Sequence, residues 1–337
     1  MSTRTDSGSH RAIVVRSAHD GAVAAIEQRE APQAGLGELV LDVQHSSVNF
    51  KDALAMSGRP GVLRSHPMVP GIDAVGTVVN SDDPHWPSGQ TVILNGAGIG
   101  ERADGGLAER VVVPADSAVR LPSGWSTRSA AAVGTAGFTA ALSVLALRRD
   151  VSADAGDVLV TGAAGGVGSF AIRLLSSLGY RVVASTGRPD DQGDRLRELG
   201  AADVIHRGEL SDSGGKPMQK ARWAGAVDSV GSTTLVSVLA QTSYGGVVTA
   251  CGLAQGPDLP GTVLPFILRG VSLLGINSVD APHEKRAEAW QLIADTLDEA
   301  AVTSIAPQTI GLEEAIGLAP DVLAGKVAGR VVVDVAR

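Results

Sequence analysis

The chain of 337 residues carries a formal charge of −8, 44% apolar residues, 42 glycines and a single cysteine. That length suggests two domains, each with enough apolar side chains for a core, and glycine at this frequency without a triplet period excludes collagen. An acidic balance with no basic block argues against a nucleic-acid partner. One cysteine among scattered histidines offers neither an internal disulfide nor zinc spacing, so no metal site is expected and a reducing, cytoplasmic setting is.

Residues 1–10 are polar, lack the apolar core of a signal peptide and are expected to fray. Segments 12–16, 38–48, 72–79, 91–94, 107–113 and 118–121 are rich in Val, Leu and Ile and are punctuated by Pro and Gly, which predicts a small β-rich domain ending near residue 129. The apolar stretch 130–147 holds Gly134, Thr135, Gly137 and Thr139 and falls short of a full membrane span; it reads as a buried helix, and no membrane partner is expected.

From residue 157 the period changes. Strand-like runs at 158–161, 182–186, 203–205, 226–230, 247–251 and 272–277 alternate with helical ones, which predicts an α/β, doubly wound parallel sheet of six strands. A helix at 284–298 and a strand at 330–335 have no place in that sheet and are expected to return to the first domain. The expected division is therefore 1–129 with 280–337, and 130–279. Residues 211–216 read as a surface loop. The sixth strand lies at a sheet edge, and such edges are commonly paired, so a homodimer is expected.

Residues 158–178 are the most informative. An apolar strand runs into Gly162, Ala163, Ala164, Gly165, Gly166, Val167 and Gly168, and then into a helix whose apolar face is Val167, Phe170, Ala171, Leu174, Leu175 and Leu178. Glycines let the backbone approach a pyrophosphate, and the helix N-terminus aims free N–H groups and its positive dipole end at it. The strand–turn–helix context gives this glycine string its meaning. At the end of the second strand, where a carboxylate would select NAD, the chain has Ser185, Thr186, Gly187 and Arg188. Two hydroxyls, a turn glycine and a guanidinium suit a 2′-phosphate, so the expected cofactor is NADPH.

The whole chain from about residue 12 to 335 resembles the medium-chain dehydrogenase/reductase superfamily. Residues 164–168 look like the glycine motif of its zinc-independent quinone-reductase branch. Within that branch, residues 48–54 (Val-Asn-Phe-Lys-Asp-Ala-Leu), 67–73 (Pro-Met-Val-Pro-Gly-Ile-Asp), 134–140 (Gly-Thr-Ala-Gly-Phe-Thr-Ala) and 264–269 (Leu-Pro-Phe-Ile-Leu-Arg) resemble the NADPH-dependent acrylyl-CoA reductase group. Zinc alcohol dehydrogenases place a cysteine near residues 48–52 and Gly-His-Glu where this chain has Gly71, Ile72 and Asp73. Without a Lewis acid, alkoxide stabilisation is lost, whereas reduction of an activated C=C does not need it.

The resemblance implies a GroES-like catalytic domain beside the Rossmann domain, and reduction of the C=C bond of a short 2-enoyl-CoA, acryloyl-CoA to propanoyl-CoA. A quinone or alkenal reductase is the alternative. It places Asn49 and Asp52 in the active-site wall, Asn49 to orient the carbonyl or the cofactor ribose and Asp52 in a proton relay. The same Asn-x-x-Asp spacing is a capping pattern for a helix through Leu54, and both readings stand. From the resemblance alone, Ala53, Ser229, Leu253, Asn277 and Arg330 are cofactor-binding positions. Asp73 becomes a turn residue at the former ligand position, paired with an arginine. Cys251 reads as a small buried hydrophobe. Of Arg59, Arg64 and Arg102, loop cations suited to coenzyme A phosphates, one at most is expected to take part.

Overall fold

The computed structural model describes residues 8–18, 21–211 and 216–337. Most of the expected frayed end (1–7) and of the expected 211–216 loop (212–215) lies outside the described residues. Two compact units are formed, one by Met1–Thr135, Ser278–Trp290 and Val302–Arg337, the other by Ala136–Asn277 and Gln291–Ala301.

In chain order the first unit opens with β1 (Ser9–Ala18) and β2 (Gly21–Glu30), an antiparallel hairpin. It continues with β3 (Glu38–Ser47), α1 (Phe50–Met56), β4 (Asp73–Ser81), β5 (Thr91–Asn95), β6 (Arg110–Pro114) and β7 (Val119–Arg120). Helix α2 (Thr127–Leu147) follows, broken at Gly134. Then come β8 (Val158–Val160), α3 (Gly166–Ser177), β9 (Val182–Thr186), α4 (Pro189–Glu198), β10 (Ala201–His206), α5 (Gly208–Ser211) and β11 (Trp223–Asp228). These lead into α6 (Ser232–Gln241), β12 (Thr242–Ala250), α7 (Leu264–Arg269) and β13 (Ser272–Gly275). The chain closes with α8 (His283–Thr296), α9 (Glu299–Ile305), β14 (Gln308–Ile310), α10 (Leu312–Leu323) and β15 (Val331–Asp334).

In the first unit a seven-stranded sheet runs β14–β15–β3–β4–β5–β7, with β6 also on β3. Its core follows the two-residue period of a strand: Leu39, Leu41 and Val43 on β3 point inward with Val331 and Val333 on β15. Each such side chain contributes about 1.5–3 kcal/mol on burial. The expected C-terminal strand is β15, antiparallel to β3. The structure adds β2, β14 and α10, none of which the sequence reading contained. Strand β2 runs Gly-Ala-Val-Ala-Ala-Ile and then Glu-Gln-Arg-Glu, alternating exposed and half-buried positions with none fully buried, and its small apolar residues do not alternate with polar ones as a half-buried strand's usually do.

In the second unit six parallel strands run β10–β9–β8–β11–β12–β13. Strands β8, β9 and β11 are buried at every residue, which is why they read as continuous apolar runs. Strand order reverses between β8 and β11, the switch point at which such sheets bind ligands beyond their carboxyl ends. Two strands end two residues short of the expected position. Strand β11 stops at Asp228, leaving Ser229 and Val230 in a turn, and β13 stops at Gly275, leaving Asn277 two residues beyond it. Among the described residues α2 is the one helix long and apolar enough to cross a membrane, and 83% of its apolar window is buried in the fold.

Candidate functional site

The second unit gathers four loops at the carboxyl ends of its strands. After β8 the chain turns at Gly162, whose φ is +59° and where a Cβ would lie 2.4 Å from Ser229 Oγ. At Gly168 a Cβ would meet Gly162 O at 2.5 Å, so both positions require glycine. Ala163 N donates to Ser185 O (3.1 Å) and Gly165 N to Gly162 O (3.0 Å), and the first intrahelical donor of α3 is Ser169 N, to Gly165 O (2.9 Å). The N–H groups of Gly166, Val167 and Gly168 therefore precede the helical ladder. With Gly165 exposed at the apex and no side chain in front of it, this cradle fits a pyrophosphate.

The turn after β11 braces that loop. Thr161 Oγ1 donates to the buried Asp228 Oδ1 (2.6 Å), Gly231 N donates to Asp228 Oδ2 (2.8 Å), and Ser229 reaches back with N to Thr161 Oγ1 (3.1 Å) and Oγ to Thr161 O (3.1 Å). Burial raises the Asp228 carboxyl above the usual range against the pull of the Thr161 and Gly231 donors. Ser229 thus holds the glycine turn with both its polar hydrogens. The loop after β12 joins the same corner through Cys251 N to Asp228 O (2.9 Å) and Gln255 N to Val230 O (2.8 Å), and it carries Leu253, which is 63% exposed. Asn277 is exposed beyond β13. Burial pushes the Cys251 thiol up to about 12, so it is a neutral thiol, as a small hydrophobe should be.

At the end of β9, Ser185 and Thr186 are buried, and Thr186 Oγ1 accepts from Arg188 N (3.2 Å). Gly187 is exposed at the apex of the turn, and a Cβ there would lie 2.8 Å from Arg207 Nε. Arg207, whose N donates to Thr186 O (2.8 Å), follows β10, which pairs in register with β9. The guanidinium of Arg207 is thereby laid across Gly187, next to Arg188. The sequence reading missed Arg207, because only the strand register brings position 207 to 187.

The first unit holds a buried polar cluster. Loop 70–73 delivers Asp73 to the start of β4, fully buried, where six donors surround it. Oδ2 accepts from Ser47 Oγ (2.6 Å), Asn49 Nδ2 (2.8 Å) and Arg330 Nη2 (3.2 Å). Oδ1 accepts from Asn95 Nδ2 (2.7 Å), Thr135 N (2.7 Å) and Thr135 Oγ1 (2.7 Å). Thr135 N is available because α2 breaks at Gly134, where φ is +50° and a Cβ would lie 2.4 Å from Arg330 Nη2 and 2.5 Å from Asp73 Oδ2. Trp290 Nε1 closes the far side on Asn95 Oδ1 (3.0 Å). Asp73 is paired with an arginine, as expected.

Asn49 caps α1 in a capping box with Asp52, so the capping reading of the Asn-x-x-Asp spacing holds. Asp52 Oδ2 accepts from Asn49 N (2.8 Å) and Nδ2 (2.9 Å), while Oδ1 accepts from Gly71 N (3.1 Å) and Ile72 N (3.0 Å). Burial first, and Asp73 second, push the Asp52 carboxyl up to about 6 despite those donors. Arg330 is 4% exposed and directs all five N–H donors inward: Nε to Ala132 O (3.3 Å), Nη1 to Val48 O (3.1 Å) and Asn49 Oδ1 (2.7 Å), Nη2 to Ser47 Oγ and Asp73 Oδ2. With that inventory complete, Arg330 has no donor left for a cofactor, contrary to the expectation for it. Ala53 is wholly buried in the apolar core and presents no atom to a ligand, a second correction. Phe50, at the first position of α1, is 49% exposed. Among the described residues no group of three or more His, Cys, Asp or Glu is placed to hold a metal.

Comparison with known proteins follows the same division. Residues 35–123 match the alcohol dehydrogenase GroES-like domain family and residues 166–295 the zinc-binding dehydrogenase family. The chain is 45% identical to the probable acrylyl-CoA reductase AcuI of Escherichia coli (strain K12), over 96% of this chain and 99% of that protein. It is 47% identical to the acrylyl-CoA reductase AcuI of Ruegeria pomeroyi, over 93% of this chain and 94% of that protein. The crystal structure of the yhdH oxidoreductase from Salmonella enterica in complex with NADP superposes with a TM-score of 0.93 at 45% identity, covering 96% of this chain and 99% of that one. The chain belongs to the medium-chain dehydrogenase/reductase superfamily, in the quinone-oxidoreductase-like group that includes the acrylyl-CoA reductases.

Proposed function

We propose that this protein is an NADPH-dependent oxidoreductase that reduces the C=C bond of a short 2-enoyl-CoA, acryloyl-CoA to propanoyl-CoA. The substrate reading rests on identity of 45% and 47% to two proteins named acrylyl-CoA reductase over nearly their whole length. The cofactor reading is carried by one observation, the guanidinium of Arg207 lying over Gly187 beside Arg188, which suits a 2′-phosphate.

NADPH, when bound, supplies the hydride that the β-carbon of the thioester receives. The chain's own residues bind and orient it. Ala164, Gly165, Gly166, Val167 and Gly168 hold the pyrophosphate, braced by Ser229. Ser185 and Thr186 shape the turn that presents Gly187, Arg188 and Arg207 to the 2′-phosphate. Leu253 offers an apolar edge to the nicotinamide, and Asn277 stands on the same carboxyl side of the sheet. Asn49 has two candidate tasks, orienting the carbonyl or the cofactor ribose. Both Nδ2 hydrogens are engaged by Asp52 and Asp73, and Oδ1 accepts from Arg330 Nη1 and, in the capping box, from Asp52 N, so Asn49 serves either task by holding the start of α1 in place. Asp52, with four N–H donors on its two oxygens, is a positioning residue that fixes Asn49 and loop 70–73 rather than a proton relay.

Catalysis without zinc is part of this reading. The former ligand position, Asp73, has both oxygens occupied by hydrogen-bond donors, one of them a guanidinium, so the donor set suits a cation already provided by Arg330. A homodimer is supported by the edge strand β13 and by Ile267 and Leu268 on α7 before it, 68% and 59% exposed. The lone thiol suits the cytoplasm. Steady-state rates with acryloyl-CoA, crotonyl-CoA, a simple quinone and acrolein, each with NADPH and NADH, test the reading. Comparable or better kcat/KM for the quinone supports the quinone-reductase alternative.

A further inference from the structure

We propose that the first unit carries a further binding site, a cavity beside the β1–β2 hairpin that takes a small organic oxyanion, a carboxylate or phosphate ester on a few carbons. The cavity measures about 550 Å³, within the roughly 300–1,000 Å³ of small-molecule sites. Its wall is drawn mainly from β1, β2, β6 and the loop between β5 and β6, all in that unit. His10 lines it from β1, is 7% exposed, and its buried Nδ1 has no hydrogen-bond partner among the described residues. Buried polar atoms are paired almost without exception, so the ring marks a place where the chain does not satisfy its own chemistry.

Donor and acceptor capacity in this wall are unequal. Arg29 donates from Nη2 to Asp104 Oδ2 (3.2 Å) and Arg102 from Nη2 to Asp280 Oδ1 (3.1 Å), a single bond each where a guanidinium has five donors. Arg110 lines the cavity too and gives Nε to Asp42 (2.8 Å). On the acidic side, Asp104 has both oxygens engaged, Oδ2 by Arg29 and Oδ1 by Val69 N (2.8 Å), and Glu38 Oε2 accepts from Gly35 N (2.8 Å). Glu30 is exposed at the end of β2. The unused capacity is mostly donor, which selects a ligand that brings acceptors, and guanidinium–oxyanion bonds are the strong, charge-assisted kind. Gly98 places Arg102: its φ is +86°, and a Cβ there would lie 2.7 Å from Arg102 Nε, so glycine lets the guanidinium rest against the backbone of the wall. Burial lowers the His10 ring below the ordinary histidine range, with Arg110 and Arg29 acting the same way and Glu109 and Asp104 opposing. The ring is therefore a neutral polar group at pH 7, and the positive charge comes from the guanidiniums. Val69, Ile99 and Val111 give the carbon portion of the ligand an apolar surface.

Calorimetric titration of the NADPH-saturated enzyme with butanoate, propyl phosphate and butylammonium tests the site. Saturable binding of at least one of the two anions is expected, their relative affinities naming the head group, and no binding of the cation of similar length. Arg29→Gln and Arg102→Gln are each expected to raise the anion Kd roughly tenfold and to leave the NADPH Kd unchanged. Arg102 is exposed, so its variant decides the matter should Arg29→Gln fail to fold, as judged by its melting curve. No saturable binding of either anion, equal binding of butylammonium, or an unchanged anion Kd in Arg102→Gln overturns the proposal. So does displacement of the anion by coenzyme A, which would make the cavity part of the thioester site.

Discussion

Arg330 donates through Nη1 to Asn49 Oδ1 at 2.7 Å, joining two residues 281 positions apart inside one unit. The same guanidinium pairs with Asp73, and Asp73 gathers Ser47, Asn49, Asn95 and Thr135. A single buried ion pair thus organises the cap of α1, the start of β4, the end of β5 and the break in α2. Removing one partner leaves the other charge buried and unpaired, which costs several kcal/mol.

Gly134 is the position where this cluster tolerates least. Gly134→Ala would place a methyl 2.4 Å from Arg330 Nη2 at a φ of +50°. A loss of about 3 kcal/mol or more is expected, measured as a fall in chemical-denaturation midpoint. Gly165→Ala, where the nearest atom is Gly162 O at 3.3 Å, should cost much less stability and act on cofactor affinity instead.

Arg188 and Arg207 should separate the two nicotinamide cofactors. Alanine at either position is expected to raise KM for NADPH roughly tenfold or more, in line with loss of a charge-assisted hydrogen bond, and to leave KM for NADH unchanged. Equal effects on both cofactors would remove these arginines from the 2′-phosphate site.

The raised Asp52 carboxyl has a signature in stability against pH. Its ordinary value is 3.8 and its folded value about 6, so the fold disfavours the charged form. Stability from this group is complete below about pH 4, falls as pH rises towards 6, and is level above that. The drop is about 3 kcal/mol for a shift of about two units. Asp52→Asn should flatten the stability–pH curve between pH 4 and 6, whatever its baseline stability. An unchanged slope in urea melts across that window would contradict the assignment.

Much of this was legible in the sequence, for identifiable reasons. The glycine loop and the parallel sheet are local or doubly buried, so residues 158–168 announce themselves through continuous apolar runs and a turn. The Asp73 cluster is assembled from positions 47, 49, 52, 73, 95, 135 and 330, whose polar residues are each unremarkable alone and meet only through β-sheet register and the return of β15 to β3. Arg330 was visible as a residue but not as a fully engaged one, since a donor count needs the neighbours. Ala53 lies beside Asn49 in sequence, yet helix geometry turns it into the core. Arg207 and strand β2 were silent, the first for want of register and the second because its small residues, Gly-Ala-Val-Ala-Ala-Ile, show no two-residue alternation of apolar and polar.

Cys251 gives a simple check on the corner that holds Asp228. Its thiol, pushed up to about 12 by burial, should resist iodoacetamide at pH 8 in the native enzyme and react readily once unfolded. Rapid native labelling would show that the loop after β12 is open.

The most direct measurement of the central claim is kcat/KM for acryloyl-CoA against a simple quinone, both with NADPH at saturation. The thioester should be preferred by roughly a hundredfold or more, the discrimination that binding the coenzyme A portion can supply. Equal turnover of the quinone, or NADPH binding with no oxidation by either substrate, would contradict it.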